Sequence, residues 1–576
     1  MLARVLSWLD ERSGLGAWLK ASAESPLPGG ARWARSFGVV TLVLLVLEAI
    51  TGIGLSAWYS PSATDAWASV HYIQFHVFMG DVVRGLHHFG GTMLIIMAIV
   101  HLVQALIWGA YRAPRELTWI TGVLALQVLI VASHTGYLLP NDLRAYWATQ
   151  VLLGIAGNQP VVGATAQEVI QGGPAFGNIT LTHLYALHVL LMPLAGVLVI
   201  GAHLAVRKRH DPSLPPGLTD SDATLEREQY WPRQAVRDLG LSVLVLVGLF
   251  VAVQVTGGVE LGAPADPAIE YVARPEWYFL PIFRLRHWFT GSTEFIATSV
   301  LPGIATVGLC LLPFVYPRLL KLTSKAHTLV VVGVLGGLFG AVALGGMTAW
   351  EDAHDEKATA TNAKADKIAK EAHRLAMIGV PISGPIELYK NDPQVWGARV
   401  FMRECASCHS DCAEKDFKGV MCMEGYAGRA WLAAFLRDPR APHFFGNTKI
   451  DEMDAFAGDQ ETLDALVEFL YAEGARADVN TALAAKGRTA YEAEGCDSCH
   501  ALEDEPTGTA PSLKGYATEK WLEAFIRAPD GEAFYGKNNE MDSFPYEKLD
   551  KNELAAVISY LRAQASQPLN FEAKKP

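Results

Sequence analysis

A chain of 576 residues has room for three or four domains. Its 51% hydrophobic content and mean hydropathy of +0.20, gathered in long runs, exclude an ordinary soluble protein, and a net charge of −12 argues against nucleic acid as a partner. Of seven cysteines, Cys310 lies alone in an apolar run; four of the six in the last third form two CxxCH motifs, which covalent haem explains better than a disulfide framework.

Residues 1–36 place Val5, Trp8, Leu9, Leu15, Trp18 and Leu19 at spacings that predict an amphipathic helix lying on a membrane surface. No apolar core region or small-residue cleavage site marks a removable leader there. Seven segments are long and apolar enough to span a bilayer, at about 37–58, 84–109, 117–138, 182–206, 237–257, 294–316 and 327–349. Arg4, Arg12, Arg32 and Arg35 precede the first, Arg112 and Arg115 follow the second, Arg207, Lys208 and Arg209 follow the fourth, and Arg318, Lys321 and Lys325 follow the sixth. All fall on one side, which the positive-inside rule makes the cytoplasm, so everything after residue 350 is expected outside.

The second span carries His87 and His101 fourteen residues apart, and the fourth carries His188 and His203 fifteen apart. At about 100° per residue each pair falls within roughly 40–60° of one helix face, its members about 21–23 Å apart along the axis. Facing each other, the two helices would present one histidine pair at each of two depths, as two six-coordinate haem irons stacked across a membrane require. A single histidine in an apolar helix is more often a packing residue, but four at matched separations are hard to explain by packing, and ionisable groups inside a membrane mark ion or electron pathways. Gly38 and Gly52 in the first span, and Gly122 and Gly136 in the third, repeat the spacing of fourteen and would leave room for a flat macrocycle at both depths.

Of the outer loops, 59–83 is short, while 139–181 contains LPNDLRAYWATQVLLGIAG, an amphipathic helical pattern. Loop 258–293 holds Pro275, Glu276, Trp277 and Tyr278. A solvated loop carboxylate is the plain reading of Glu276. Amid Trp277, Tyr278, Phe279 and Phe283 at the membrane edge, however, a raised pKa would suit it to accept a proton. Residues 351–378 are charged and rich in alanine and lysine, predicting a helical stalk that leaves the seventh span, and a Pro/Gly linker follows to about 395.

An internal repeat of about ninety residues comes next. CASCH (Cys405, Cys408, His409) and CDSCH (Cys496, Cys499, His500) are each followed by a GYA…W…AF pattern, an EMD triplet and a closing helical run. In each motif two thiols bind the haem vinyl groups while the adjacent imidazole coordinates iron. Met453 and Met541 hold matching places in the EMD triplets and are read as the distal ligands, a pairing that raises the reduction potential. Cys412 and Cys422, in an insertion that only the first copy has, are expected to be bridged, free thiols being the alternative.

With these motifs in hand, residues 1 to about 350 resemble the cytochrome b of the quinol:cytochrome c reductases, the cytochrome bc complexes: RELTWITG, the GYLLP of the third span, LTHLYALH and PEWY are similar to that family's hallmarks. The fifteen-residue histidine gap and the seven spans resemble the chloroplast-type cytochrome b with its subunit IV in one chain, and the last part resembles two class I cytochrome c domains. The expected fold is all-α: a surface helix (1–36), a four-helix haem-binding domain (37–210), a three-helix domain (211–350), stalk and linker (351–395), and cytochrome c domains at 396–475 and 476–576.

The resemblance implies a Q cycle with two noncovalent b haems and two covalent c haems in a bacterial cytoplasmic membrane. Quinol would be oxidised near the outer face by a site with Glu276, Pro275, Trp277, Tyr278 and Tyr137. One electron would pass through the b haems to an inner-face quinone, and the other through a separate Rieske iron–sulfur protein to the c haems and on to a soluble cytochrome or an oxidase. A homodimer within a larger complex is expected from the family alone. Ser36 stands where a cysteine tethers an additional haem in the chloroplast-type proteins, which argues against that haem. Gln104 and His183 replace expected arginines, leaving Arg84, Arg112 and Arg207 as candidates for the haem propionates, and Asn141 replaces a tryptophan after GYLLP. A haem-bearing anchor that relays electrons from a peripheral dehydrogenase to quinone is the second reading, but it needs no Glu276. A seven-helix transporter with a tethered cytochrome would leave the histidine ladders unexplained.

Overall fold

The computed structural model describes residues 2–218, 228–269, 271–272, 274–409, 412, 419–503 and 510–569; most of the first repeat's insertion lies outside them. The chain divides into two units, Met1–Pro385 and Ile386–Pro576.

In the first unit the seven expected spans are helices, at Trp33–Ser56, Gly80–Ile107, Glu116–Tyr137, Asn178–Arg207, Arg233–Thr256, Gly291–Leu322 and Ala326–His354. Their surfaces stay largely apolar and outward-facing, with Ile53, Val197, Val255 and Phe339 all more than 70% exposed, as lipid-facing helices require. Val40, Leu44, Leu94, Met97, Leu129 and Leu249 pack where the first, second, third and fifth spans meet. The N-terminal segment is two helices, Leu2–Ser13 and Leu15–Ala23, broken at Gly14, whose φ of 65° is left-handed. Trp8, Leu15, Trp18 and Leu19 are exposed on them, in keeping with a surface-lying role.

The loops at the far end are more structured than their sequence promises. The loop after the first span holds a helix, Ala66–His76, and the amphipathic pattern of the long loop is the helix Leu143–Gly157. Asn141 occupies φ 49°, a region that asparagine tolerates, and Asp142 caps the helix by accepting from the amide of Ala145 at 2.8 Å while also accepting from Gly262 N at 2.9 Å. These two residues make the turn where a tryptophan was expected.

The expected stalk is not a stalk. Glu356–Ala376 is a helix that lies against these loops, burying Ala358, Ala365, Ala369, Ala372, Leu375 and Ala376 on one face. Ala365 and Ala369 pack with Leu143 and Ala263, and His373 stacks on Trp67 and His71 at 5.5 and 5.4 Å while bonding the carbonyl of Leu261 at 2.7 Å. Alanines at helical spacing let the helix approach closely, and its lysines remain outside.

In the second unit the two repeats share one core instead of forming separate domains at 396–475 and 476–576. The first copy's opening helix, Pro393–Glu404, packs on the second copy's closing helix, Lys551–Gln564; the second's opening helix, Thr481–Ala493, packs on the first's closing helix, Gln460–Glu473. A Cβ on Gly397 would strike the carbonyl of Ala556, and one on Gly487 that of Ala465, so each crossing is a glycine pressed onto a backbone. Phe401–Tyr560 and Tyr491–Phe469 repeat the same ring contact, both at 5.4 Å. The copies have exchanged their opening helices. Cys412 and Cys422 are bridged, as expected.

Candidate haem and quinol site

The second and fourth spans bring their histidines together at two levels. The rings of His87 and His188 face each other at 6.2 Å between centroids. Two imidazoles bound through Nε2 to one metal, at about 2 Å each, bring their ring centres about 6 Å apart, so this spacing fits an iron between them. His101 and His203 are neighbours at the other level. Each imidazole lies on a predicted glycine: a Cβ would come within 3.0 Å of His101 Cε1 from Gly38, 3.1 Å of His87 Cε1 from Gly52, 3.2 Å of His203 Cε1 from Gly122 and 2.6 Å of His188 Cε1 from Gly136. These glycines thus clear the ligand rings themselves.

On three of the four rings the nitrogen pointing away from the gap is held, the exception being His101. His188 Nδ1 bonds the carbonyl of Ala132 at 2.9 Å with Thr135 Oγ1 at 3.2 Å, and His203 Nδ1 bonds the carbonyl of Thr118 at 3.0 Å with Thr121 Oγ1 at 3.2 Å. His87 Nδ1 has Thr51 Oγ1 at 3.0 Å. These bonds orient each ring and leave Nε2 free for metal. Each threonine immediately precedes one of the glycines, a Thr-Gly signal present in the sequence and missed by reading the glycines alone. At Gly38 the preceding residue is Phe37, and Gln104 is the polar neighbour of His101.

The proposed propionate arginines divide. Arg84 is spent on the loops, donating to Gln74 and to the carbonyls of Val259 at 2.7 Å and Glu260 at 3.3 Å, which argues against that role for it. Arg112 lies over the ring of Tyr316 at 5.1 Å, and Arg207 lies near His101 and His203. His183 bonds Val169 O at 3.1 Å, away from the paired rings.

At the loop end Glu276 follows Pro275 and opens a short turn, Trp277–Phe279. Burial raises its pKa above the usual carboxylate range, against the opposing charge of Arg144. Tyr278 packs on Phe279 and Trp277, Phe279 meets His134 edge-on at 4.9 Å, and Tyr137 donates to the carbonyl of Arg274 at 3.3 Å. A cavity of about 440 Å³ among the loops at this end is lined by Trp147, Gln150, Val151, Gly154, Tyr271 and Phe283, together with Arg286, Glu294 and Asn158, and not by Glu276. Asn158 donates to Glu294 at 2.7 Å and Arg286 pairs with the same carboxylate. This polar trio is not visible in the linear pattern, because Asn158 is far in the chain from Arg286 and Glu294.

In the second unit His409 Nδ1 bonds the carbonyl of Met421, and His500 Nδ1 that of Pro511, both at 2.8 Å, leaving each Nε2 available. Cys405, Cys408, Cys496 and Cys499 are free thiols, as attachment requires. Met453 and Met541 are half-buried in irregular segments, Met541 against the joint core.

This is a bundle of helices long and apolar enough to span a membrane, with histidines brought together at two levels, followed by a c-type cytochrome module. Residues 92–264 match the family described as cytochrome b(N-terminal)/b6/petB, and residues 484–565 match cytochrome c. The chain is 36% identical over 218 residues to the menaquinol:cytochrome c reductase cytochrome b subunit of Bacillus subtilis, a match covering 36% of this chain and 97% of that protein. To the cytochrome bc complex cytochrome b subunit of Chlorobaculum thiosulfatiphilum it is 32% identical over 301 residues, 52% of this chain and 70% of that one. A chain of a hyperthermophilic respiratory Complex III aligns at a TM-score of 0.48 and 22% identity, over 63% of this chain and 98% of the other. The chain belongs to the cytochrome b family of quinol:cytochrome c reductase complexes, with a cytochrome c domain at its C-terminal end.

Proposed function

We propose that the protein is the cytochrome b/c subunit of a proton-translocating quinol:cytochrome c oxidoreductase working by a Q cycle. The observation that carries this reading is Glu276, a half-buried carboxyl close to Tyr137 and Tyr278 at the end opposite the arginine-rich loops; a single-site relay needs no such group. Quinol there gives up two electrons and two protons. One electron goes to a separate Rieske protein and one crosses the membrane to a quinone at the other face. Glu276 takes one of the two protons, and both are released outside, while Tyr137, Tyr278, Trp277 and Pro275 surround that carboxyl.

His87 with His188 and His101 with His203 would hold two b haems, and Cys405, Cys408, His409 and Met453, with Cys496, Cys499, His500 and Met541, two c haems. These groups supply one-electron transfer when bound. The charge rule puts the cytochrome c module outside the cytoplasmic membrane, where a soluble cytochrome or an oxidase would take its electrons.

The test is an oxidant pulse given to the purified complex with quinol present. A bifurcating enzyme responds with transient reduction of its b haems, whereas a relay anchor responds with their oxidation. Two substitutions test the ligand assignments. Gly136→Val should remove about half the noncovalent haem in a pyridine haemochrome count, since a Cβ there already crowds His188, and an unchanged count would refute its role. Met453→Ala should alter the visible and redox signature of one c haem only, and Met541→Ala that of the other; unaltered spectra would show that the distal ligands lie elsewhere.

A further inference from the structure

Glu48 is the one acidic residue deep within a described span; Asp81, Glu116, Asp238, Glu294, Glu351 and Asp352 lie near span ends. An ionisable group at that depth is costly and calls for a reason. Its Oε2 lies 3.0 Å from His87 Nδ1, and its Oε1 is buried without a hydrogen-bond partner. A notch in the second span accommodates it: a Cβ on Gly90 would strike Oε1, and one on Gly91 would lie 3.8 Å from Oε2.

The other rings show what Glu48 adds. His188 and His203 each share their Nδ1–H between a threonine hydroxyl and the carbonyl three residues before that threonine, Ala132 or Thr118. At His87 the threonine is Thr51, and the residue three before it is Glu48, whose carbonyl is likewise a backbone partner of the ring and whose side chain adds a carboxyl oxygen to it. Thr51 donates its own proton to Leu47 O at 2.7 Å, so toward His87 both partners are acceptors. No carboxylate pairs with His101, His188 or His203 among the described residues.

We propose that Glu48 is a positioning residue that sets the reduction potential of the haem held by His87 and His188. A carboxylate is a stronger acceptor than a carbonyl or hydroxyl, so it makes the ligand imidazole more electron-donating and favours the oxidised iron. The inference rests on the haem reading above, and predicts unequal potentials at the two levels.

Redox titration of the purified full-length protein, followed in the visible spectrum, tests it. Glu48→Gln keeps the shape and an acceptor oxygen but replaces the carboxylate with an amide. One b haem should become easier to reduce by at least tenfold in its ferrous-to-ferric ratio at fixed ambient potential, an upward shift of about 59 mV for one electron, with the other haems unmoved. Gly90→Ala retains the carboxylate but drives it from its notch, and should shift the same haem in the same direction. Unmoved potentials with the haem retained would overturn the proposal; if Glu48→Gln loses that haem, Gly90→Ala decides alone. Wild-type protein lacking this b haem in a haemochrome count would overturn the haem reading itself, an outcome distinct from an unmoved potential.

Discussion

Glu276→Gln should slow quinol oxidation on the order of 100-fold or more, the usual contribution of a positioned proton acceptor, with every haem still present by spectroscopy. The sign of its pH dependence follows from its surroundings. Burial raises the pKa of Glu276, and the base must be unprotonated, so the wild-type rate should fall as pH drops through a value above the ordinary carboxylate range. Arg144 opposes the shift, so Arg144→Met should move that acid limb to higher pH, whereas Glu276→Gln should abolish it. Steady-state quinol:cytochrome c reductase assays across pH read all three, and an unchanged turnover in Glu276→Gln would remove the proton-accepting role.

Expressing residues 386–478 alone should give a chain that does not fold, while residues 386–576 fold together. Without the second repeat, Pro393–Glu404 loses the helix Lys551–Gln564, whose Leu554, Val557, Ile558 and Leu561 are buried. At about 1.5–3 kcal/mol for each fully buried side chain, that loss is of order 6–12 kcal/mol, comparable with the whole stability of a small domain. Circular dichroism and the haem spectrum of the two pieces distinguish the cases. A folded single repeat would mean that the opening helix can return to its own copy.

The spans, the histidine levels, the glycines and the CxxCH motifs were legible because each is a local pattern with a fixed period. Apolar length marks a span, and a fourteen-residue interval is close to four whole helical turns, so His87 and His101 share a face whatever surrounds them. What the chain order could not convey was pairing. Two repeats with interchangeable opening and closing helices look the same in sequence whether each pairs within its copy or across. Glu356–Ala376 looked like a solvated stalk because its charged residues outnumber its large apolar ones, while its alanine face, too small to register as hydrophobic periodicity, is what docks. The polar trio Arg286, Glu294 and Asn158 and the partnership of Glu48 with His87 depend on which helices are neighbours, and only the folded chain fixes that.

The exchanged helices also constrain how such a chain can evolve. Tandem repeats of self-sufficient units gain or lose copies freely through unequal recombination. Here, deletion of either copy would leave two helices without their present mates, and an added third could be seated only by parting Pro393–Glu404 from Lys551–Gln564. Reciprocal pairing therefore resists a change of copy number in a way that a string of independent domains does not.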